Sequence, residues 1–128
     1  MQIVLAIACG GALGAVARYA LGGWVHTWAG SEFPWGTLLI NVLGSLFLGV
    51  VVRLFEGLPA DPAWRAFLAI GLAGGFTTFS TFGYETVTLL QDGRTVPAFS
   101  YMLASVLLGV TAVFAGFLAA AWLLHWRG

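Results

Sequence analysis

Long apolar stretches and short polar segments alternate along the chain. Four of the apolar stretches reach the length of about 20 helical residues that the hydrocarbon core of a bilayer requires. The segments between them are short and hold most of the charged residues. The pattern therefore predicts an all-α membrane protein with four transmembrane helices, at approximately residues 3–23, 35–55, 64–90 and 97–124 of a single domain covering residues 1–128.

Proline and tryptophan mark the ends of these spans. Pro34 precedes the second span, Pro62 precedes the third, and Pro97 opens the fourth. A helix start tolerates proline because its first amides lack intrahelical partners. All six tryptophans lie at predicted span ends, where an indole is most stable in the membrane interface; they are Trp24, Trp28, Trp35, Trp64, Trp122 and Trp126.

Composition agrees with a lipid environment. The chain is 60% hydrophobic and 8% charged, whereas a soluble domain carries about 25% charged residues. The net charge is zero and there is no basic run, which argues against nucleic-acid binding. No Lys or Arg precedes the first apolar stretch, which is also longer than a signal-peptide core, so we expect a retained transmembrane helix. The single cysteine, Cys9, excludes an intrachain disulfide.

The arginines give little preference for one membrane orientation. With four spans, both termini lie on the same side as Arg53, Arg65 and Arg127, and the other side holds Arg94, plus Arg18 if its side chain snorkels outward. Orientation is set by a clear Lys/Arg excess in the short loops, and here the excess is small. We therefore expect the chain to insert in both orientations and to pair with an inverted copy of itself.

Small residues recur at helical spacing in the first and fourth spans. Such stripes let helices approach closely in lipid, within one chain or between two chains, and the sequence leaves both interpretations open. Four helices alone rarely enclose a polar path, so a transporting chain should need a second copy. The stripes are Gly10, Gly14, Arg18 and Gly22, then Ser105 and Gly109, and then Ala112, Gly116 and Ala120.

Polar side chains within the spans are the first candidates for function. Ionisable groups at membrane depth cost about 2.5–3.5 kcal/mol on insertion scales and usually mark functional positions. Arg18 and Glu85 are ionisable side chains of this kind, and Asn41 and Ser45 are uncharged polar side chains in the same environment. Structural interpretations stay open for three of them: a snorkelled anchor or helix-packing partner for Arg18, an interhelical hydrogen bond for Asn41, and a water-exposed carboxylate for Glu85.

The middle of the third span has an unusual composition for a membrane helix. Residues 74–83 read Gly-Gly-Phe-Thr-Thr-Phe-Ser-Thr-Phe-Gly, and paired glycines with clustered hydroxyl residues are poor helix formers. We predict a helix break near Gly74 to Thr78, in which the chain unwinds at the double glycine. The break should be buried in protein or line a water-filled cavity. A break frees carbonyls that can bind a hard cation such as Na⁺, and it creates a helix N-terminus that favours anions.

Two phenylalanines follow the predicted break. Phe79 and Phe82 are three residues apart and so share a helix face. The edge of an aromatic ring is electropositive, and ring edges can contact an anion without holding it tightly. Core packing is the ordinary role of such a pair, but the adjacent glycines and hydroxyls favour an ion path.

The same segment carries a family resemblance. Residues 74–82 resemble the signature of the Fluc/CrcB fluoride channels. The first span, with Gly10, Gly11 and the run from Gly14 to Arg18, resembles the family's first helix. The second span, with Trp35-Gly36-Thr37-Leu38 leading to Asn41 and Gly44, resembles its second. Chain length and the four-span layout also match, so the resemblance covers nearly the whole chain.

The resemblance implies a dual-topology homodimer of the cell (inner) membrane, with two antiparallel pores that passively export cytoplasmic fluoride. It implies a structural Na⁺ at the dimer interface, held by the backbone carbonyls of Gly74 and Thr77, with Gly75 and Thr78 in structural roles. It assigns no firm role to Arg18. The pore-lining residues it implies are Asn41, Phe79, Ser80, Thr81, Phe82, Glu85, Tyr101 and Ser105.

The chain departs from the family pattern at three positions. Gly83 stands where a Ser often follows the second Phe, and Gly109 and Val113 stand where hydroxyl residues often extend the polar track of the fourth span. Ser105 and Thr111 are then the remaining hydroxyl candidates in this span. The sequence thus leaves open where the ion path ends.

Other functions remain as alternatives. The main one is a small proton-coupled exporter of lipophilic cations, for which Glu85 would be the exchange site. Another is a structural subunit of a larger complex. An enzyme is not expected, because His26 and His125 lie near span ends and no nucleophile–base pair is recognisable.

Overall fold

The computed structural model describes residues 1–126, and within that range the chain is helical with no β-strand. Arg127, one of the three arginines expected on the side of the termini, lies outside the described residues. The prediction of an all-α protein is confirmed. The elements are α1 (Gln2–Ala29), α2 (Trp35–Gly57), α3 (Pro62–Arg65), a π-helix (Ala66–Ala73), α4 (Gly74–Phe76), α5 (Phe79–Gln91) and α6 (Thr95–His125).

Four helical spans among the described residues are long and apolar enough to cross a membrane: Gln2–Ala29, Trp35–Gly57, Pro62–Gln91 and Thr95–His125. Large apolar side chains are exposed along them, for example Val110, Phe114 and Leu118 of α6, which are 67%, 62% and 58% exposed. Water would not favour such a surface, whereas lipid does. The protein is therefore a multi-pass membrane protein with four spans, as predicted.

The first helix is longer than its predicted span. It continues from Gly22 and Gly23 through Trp24 to Ala29, where the sequence suggested an end at residue 23. A helical glycine costs only about 1 kcal/mol relative to alanine, which does not end a helix this long. The helix ends at Gly30, whose φ of 70° suits glycine, and whose N–H donates to the His26 carbonyl.

The four spans pack mainly as two pairs, α1 with the first half of the third span and α2 with α6, and α2 also contacts α1. The first half of the third span, formed by the π-helix and α4, lies against α1. The second half, α5, leaves α1 and lies against α6, while α6 runs along α2. The third span therefore changes neighbours halfway through the membrane, and α2 contacts both of its halves.

Small residues make these close approaches possible. A Cβ added to Gly75 would lie 2.9 Å from the Cα of Gly11, and one added to Gly14 would lie 2.7 Å from the amide of Phe76. On the other side, a Cβ added to Gly116 would lie 3.1 Å from the carbonyl carbon of Gly49. The Gly10–Gly14 and Ala112–Gly116–Ala120 stripes thus pack within the chain.

The predicted break in the third span is present, but the chain does not unwind at the double glycine. Gly74 is helical, with φ −66° and ψ −38°. The extended residues are Thr77, with φ −77° and ψ 157°, and Thr78, with φ −149° and ψ 113°. The double glycine therefore stays helical, and its second member, Gly75, packs against α1. The chain unwinds at the two threonines that follow.

Candidate functional site

The break is held by one side chain from α2. The Asn41 Nδ2 donates to the Thr78 carbonyl at 3.0 Å, and the Thr78 N–H donates to the Asn41 Oδ1 at 2.8 Å. A single amide thus pairs with both backbone groups of an extended residue, as a neighbouring β-strand would. Gly44, on the next turn of α2, leaves room for the Thr77 methyl. A Cβ at this position would overlap that methyl group and would lie 3.1 Å from the Phe76 ring.

The Thr78 side chain caps the helix that follows the break. Its hydroxyl accepts from the Thr81 N–H at 3.2 Å and donates to the Thr81 Oγ1 at 2.9 Å, and the Ser80 Oγ lies 3.4 Å away. An N-cap threonine satisfies one of the free amides at a helix start. Thr78 is 7% exposed, so this cap is shielded from solvent and starts α5 at a defined point.

The Gly74 and Thr77 carbonyls lose their helical partners at the break. The Thr78 amide, which would bond to Gly74 in a regular helix, is taken by Asn41. The Thr81 amide, which would bond to Thr77, is taken by Thr78. The Thr77 carbonyl instead accepts from Arg18 Nη1 at 3.2 Å, which places a guanidinium beside the break.

The Phe79 and Phe82 rings lie together after the break. Their centroids are 5.5 Å apart with planes inclined by 41°, and Phe82 also contacts the Tyr101 ring at 5.1 Å. Phe82 is half-buried, whereas Phe79 is 83% exposed at the surface of the single chain. Core packing within this chain therefore explains Phe82 but not Phe79.

A groove of about 290 Å³ runs beside the break between α2 and α6. It is lined by the rings of Phe79 and Phe82 and by the polar side chains of Asn41, Ser45 and Ser105. The Ser105 Oγ is buried and has no hydrogen-bond partner among residues 1–126. A buried hydroxyl without a partner is costly, so this groove is suited to a polar guest.

Glu85 lies one helical turn beyond Thr81 and is held by two hydroxyls. Thr37 donates to its Oε1 at 2.8 Å, and Tyr101 donates to its Oε2 at 2.7 Å. The Tyr101 side chain is fully buried among Leu38, Leu89 and Ala98. Glu85 and Thr37 line a larger pocket of about 590 Å³ that reaches the loops around Glu32 and Arg94, which form an ion pair at 3.2 Å.

The structure brings some of the predicted pore residues together and separates others. Asn41, Phe79, Phe82 and Ser105 line the groove. The remaining four lie around it. Thr81 borders a second pocket beside Arg18, and Glu85 borders the pocket near the loops. Tyr101 is buried and donates a hydrogen bond to Glu85, and Ser80 is exposed. No group of three or more His, Cys, Asp or Glu side chains within residues 1–126 could hold a metal ion.

Thr37 is the residue that sequence reasoning missed. Its signal is spacing: Thr37, Asn41 and Ser45 follow one another every four residues along α2, which puts all three on one face. Each side chain reaches the region of the break or of Glu85. A polar stripe on an otherwise apolar helix could have identified this face in advance.

The sequence that forms this site is similar to the sequences of known proteins. The family model described as CrcB-like protein, Camphor Resistance (CrcB), matches residues 5–117, which include the break and every groove residue. The chain belongs to the CrcB family. Membership agrees with the resemblance found at residues 74–82, and it places the chain outside the enzymes.

Several relatives of this CrcB-family chain carry the name fluoride-specific ion channel FluC. The one from Nitrobacter winogradskyi is 50% identical over 114 residues, which are 88% of this chain and 90% of the relative. That from Thermus thermophilus is 48% identical, covering 88% and 89% of the two chains. That from Geobacter sulfurreducens is 47% identical, covering 94% and 98%.

Replacing Asn41 with leucine tests how the break is held. Asn41→Leu leaves the Thr78 N–H and carbonyl without partners, and each unpaired buried group costs about 1–3 kcal/mol. We expect the free energy of unfolding in detergent to fall by about 2–6 kcal/mol for the two groups. The control is Leu43→Ala, at a position of the same helix that is 40% exposed. A loss of stability in Asn41→Leu no greater than that in the control would contradict this role of Asn41.

Proposed function

We propose that this chain is a fluoride-selective channel that passively exports fluoride from the cytoplasm. The observation that carries the proposal is the groove beside the break, which is lined at membrane depth by two phenylalanine rings and by partly buried hydroxyl and amide side chains. A fluoride-specific ion channel from another organism is 50% identical to this chain over 88% of its length, which supports the same conclusion.

The groove has the chemistry that a small, strongly hydrated anion needs. An ion leaves water only where protein groups replace its hydration shell. Ser105 has a free hydroxyl proton, and Asn41 retains the second hydrogen of its amide after donating to Thr78. The rings of Phe79 and Phe82 add electropositive edges. Larger halides would fit poorly against donors spaced for one small ion.

The guanidinium of Arg18 favours an anion over a cation at this depth. It lies on the Thr77 carbonyl, next to the first turn of α5. The N-terminus of α5 adds unpaired amides and the positive end of a helix dipole. Arg18 and the start of α5 therefore place positive charge beside the break, and the groove runs alongside it.

A proton-coupled exporter of lipophilic cations is the less favoured function. Its exchange site would need a carboxylate that is free to take up and release protons and to bind a cation. Both oxygens of Glu85 are occupied by the hydroxyls of Thr37 and Tyr101. We assign Glu85 to the end of the fluoride path, where it orients these two hydroxyls.

We further propose that the channel is an antiparallel homodimer. The groove is open at the surface of the single chain, and Phe79 and Ser80 are exposed there at membrane depth. Exposed serine and freed carbonyls are unfavourable against lipid. A second copy would cover this face, and the weak arginine bias permits it to be inverted.

A structural Na⁺ fits the donors at the break. Sodium is a hard cation that takes oxygen ligands, as calcium does, and the Gly74 and Thr77 carbonyls have both lost their helical partners. Two carbonyls from one chain make an incomplete shell, so the partner chain would supply the rest. The bound ion would add a fixed positive charge near the path. Arg18 already uses one lone pair of the Thr77 oxygen and leaves the other.

Ion efflux from liposomes tests the channel function. Purified protein should release trapped fluoride and should release chloride much more slowly, with no dependence on a proton gradient. Phe79→Ile or Phe82→Ile should slow fluoride efflux about tenfold, the factor that about 1.4 kcal/mol of lost ion stabilisation gives. Phe114→Ile is the control, because Phe114 is a 62% exposed ring of α6 away from the groove.

Three results would count against this function. One is equal efflux of fluoride and chloride, and another is an unchanged rate in both groove variants. The third is proton-driven transport of a lipophilic cation that Glu85→Gln abolishes, which would favour the exporter. Size-exclusion profiles of all variants show whether a lost rate reflects lost assembly.

Labelling of a loop cysteine tests the inverted pairing. In a Cys9→Ala background, a cysteine introduced by Ser31→Cys should react with a membrane-impermeant maleimide in about half of the molecules in intact cells, because the orientation signal is weak. Permeabilisation should expose the remainder. Labelling of all molecules or of none before permeabilisation would exclude dual topology.

Replacing Na⁺ by a large organic cation should lower the dimer fraction in detergent, and an unchanged fraction would speak against the sodium site.

A further inference from the structure

Two polar ladders run side by side along α2 and α6. Thr37, Asn41 and Ser45 form the ladder of α2. Tyr101, Ser105 and position 109 form that of α6, where Gly109 contributes no side chain. Both ladders have a four-residue spacing, so successive steps rise about 6 Å along each helix. The second and fourth spans cross the membrane in the same direction, so the steps can match one to one.

Contacts fix the register between the ladders. Thr37 and Tyr101 meet on the carboxylate of Glu85. Two steps later, a Cβ built on Gly109 would lie 3.7 Å from the Ser45 Oγ. These two pairs have the same sequence separation, and Asn41 and Ser105 lie between them on the wall of the groove. Ser45 therefore lies opposite Gly109, the position of the α6 ladder that has no side chain.

The geometry points to Ser45 as a pore-lining residue that supplies, from α2, the hydroxyl that position 109 lacks on α6. The inference rests on the proposed fluoride channel and extends its path one step beyond Ser105. Because Gly109 has no side chain, the space in front of Ser45 stays open to the groove. A passing anion that leaves the unpaired Ser105 hydroxyl would meet the Ser45 hydroxyl next.

Thr111, the other hydroxyl considered in the fourth span, does not fit this role. It is exposed on the outer surface of α6 and does not border the groove. Val113, the next position of the α6 ladder, does not continue the path either, because it has no hydroxyl and does not border the groove. It lies beside Gly49 of α2, where a Cβ would lie 3.1 Å from the Val113 Cα. Among the hydroxyl residues near the departure from the family pattern, the groove contains Ser45 and Ser105.

Moving the hydroxyl from α2 to α6 tests the inference. Fluoride efflux from liposomes is measured for wild type, Ser45→Ala and the double variant Ser45→Ala/Gly109→Ser. We expect Ser45→Ala to slow efflux about tenfold, the factor for losing one hydrogen bond to an ion, and the double variant to recover most of the rate. A Cβ at position 109 makes only ordinary van der Waals contact, so the added serine should be accommodated.

Two controls separate a pore hydroxyl from a packing effect. Ser45→Ala/Gly109→Ala adds the Cβ without the hydroxyl and should stay slow, and Thr111→Val should conduct like wild type. A wild-type rate in Ser45→Ala would overturn the inference, as would recovery with alanine at 109. Failure of Gly109→Ser to rescue a variant that still assembles, or a loss in Thr111→Val, would also overturn it. Absence of fluoride efflux from wild type would instead refute the proposed function itself.

Discussion

The Asn41 amide and the backbone of Thr78 form the interaction on which the rest of the structure depends. A membrane interior offers no water to backbone groups, so a helix can open there only where protein supplies partners. Asn41 supplies one donor and one acceptor to the same extended residue. Thr78 in turn caps α5 through its hydroxyl. Without this pairing, a continuous helix would satisfy the backbone better, and the third span would keep one set of neighbours.

The break has consequences on both sides of the third span. Before it, the π-helix and α4 pack on α1 through glycine contacts, and after it, α5 packs on α6. The change of neighbour turns the start of α5, with Phe79 and Ser80, towards the surface of the chain. Because α2 contacts both halves, its polar face borders the break, the groove and Glu85. The polar face of α2 therefore lines or contacts each part of the candidate ion path.

The sequence predicted the four spans because length, proline and tryptophan placement report directly on the membrane. It predicted a break because paired glycines and clustered hydroxyl residues disfavour helix, but it expected the chain to unwind at the glycines. Gly75 proved to be a packing residue and Thr78 the extended one, since the deciding partner, Asn41, comes from another helix. Thr37 was missed for the same reason: its acceptor, Glu85, is 48 residues away.

Solid-state NMR of the labelled protein in lipid bilayers tests the pairing of Asn41 with Thr78 most directly. Thr77 and Thr78 should show the ¹³C shifts of extended backbone between helical neighbours, in line with ψ values of 157° and 113°. The Thr78 amide nitrogen should lie at hydrogen-bond distance from the Asn41 side-chain carbonyl, as in the 2.8 Å contact here. Helical shifts at both threonines, with no dipolar coupling between Asn41 and Thr78, would contradict the account.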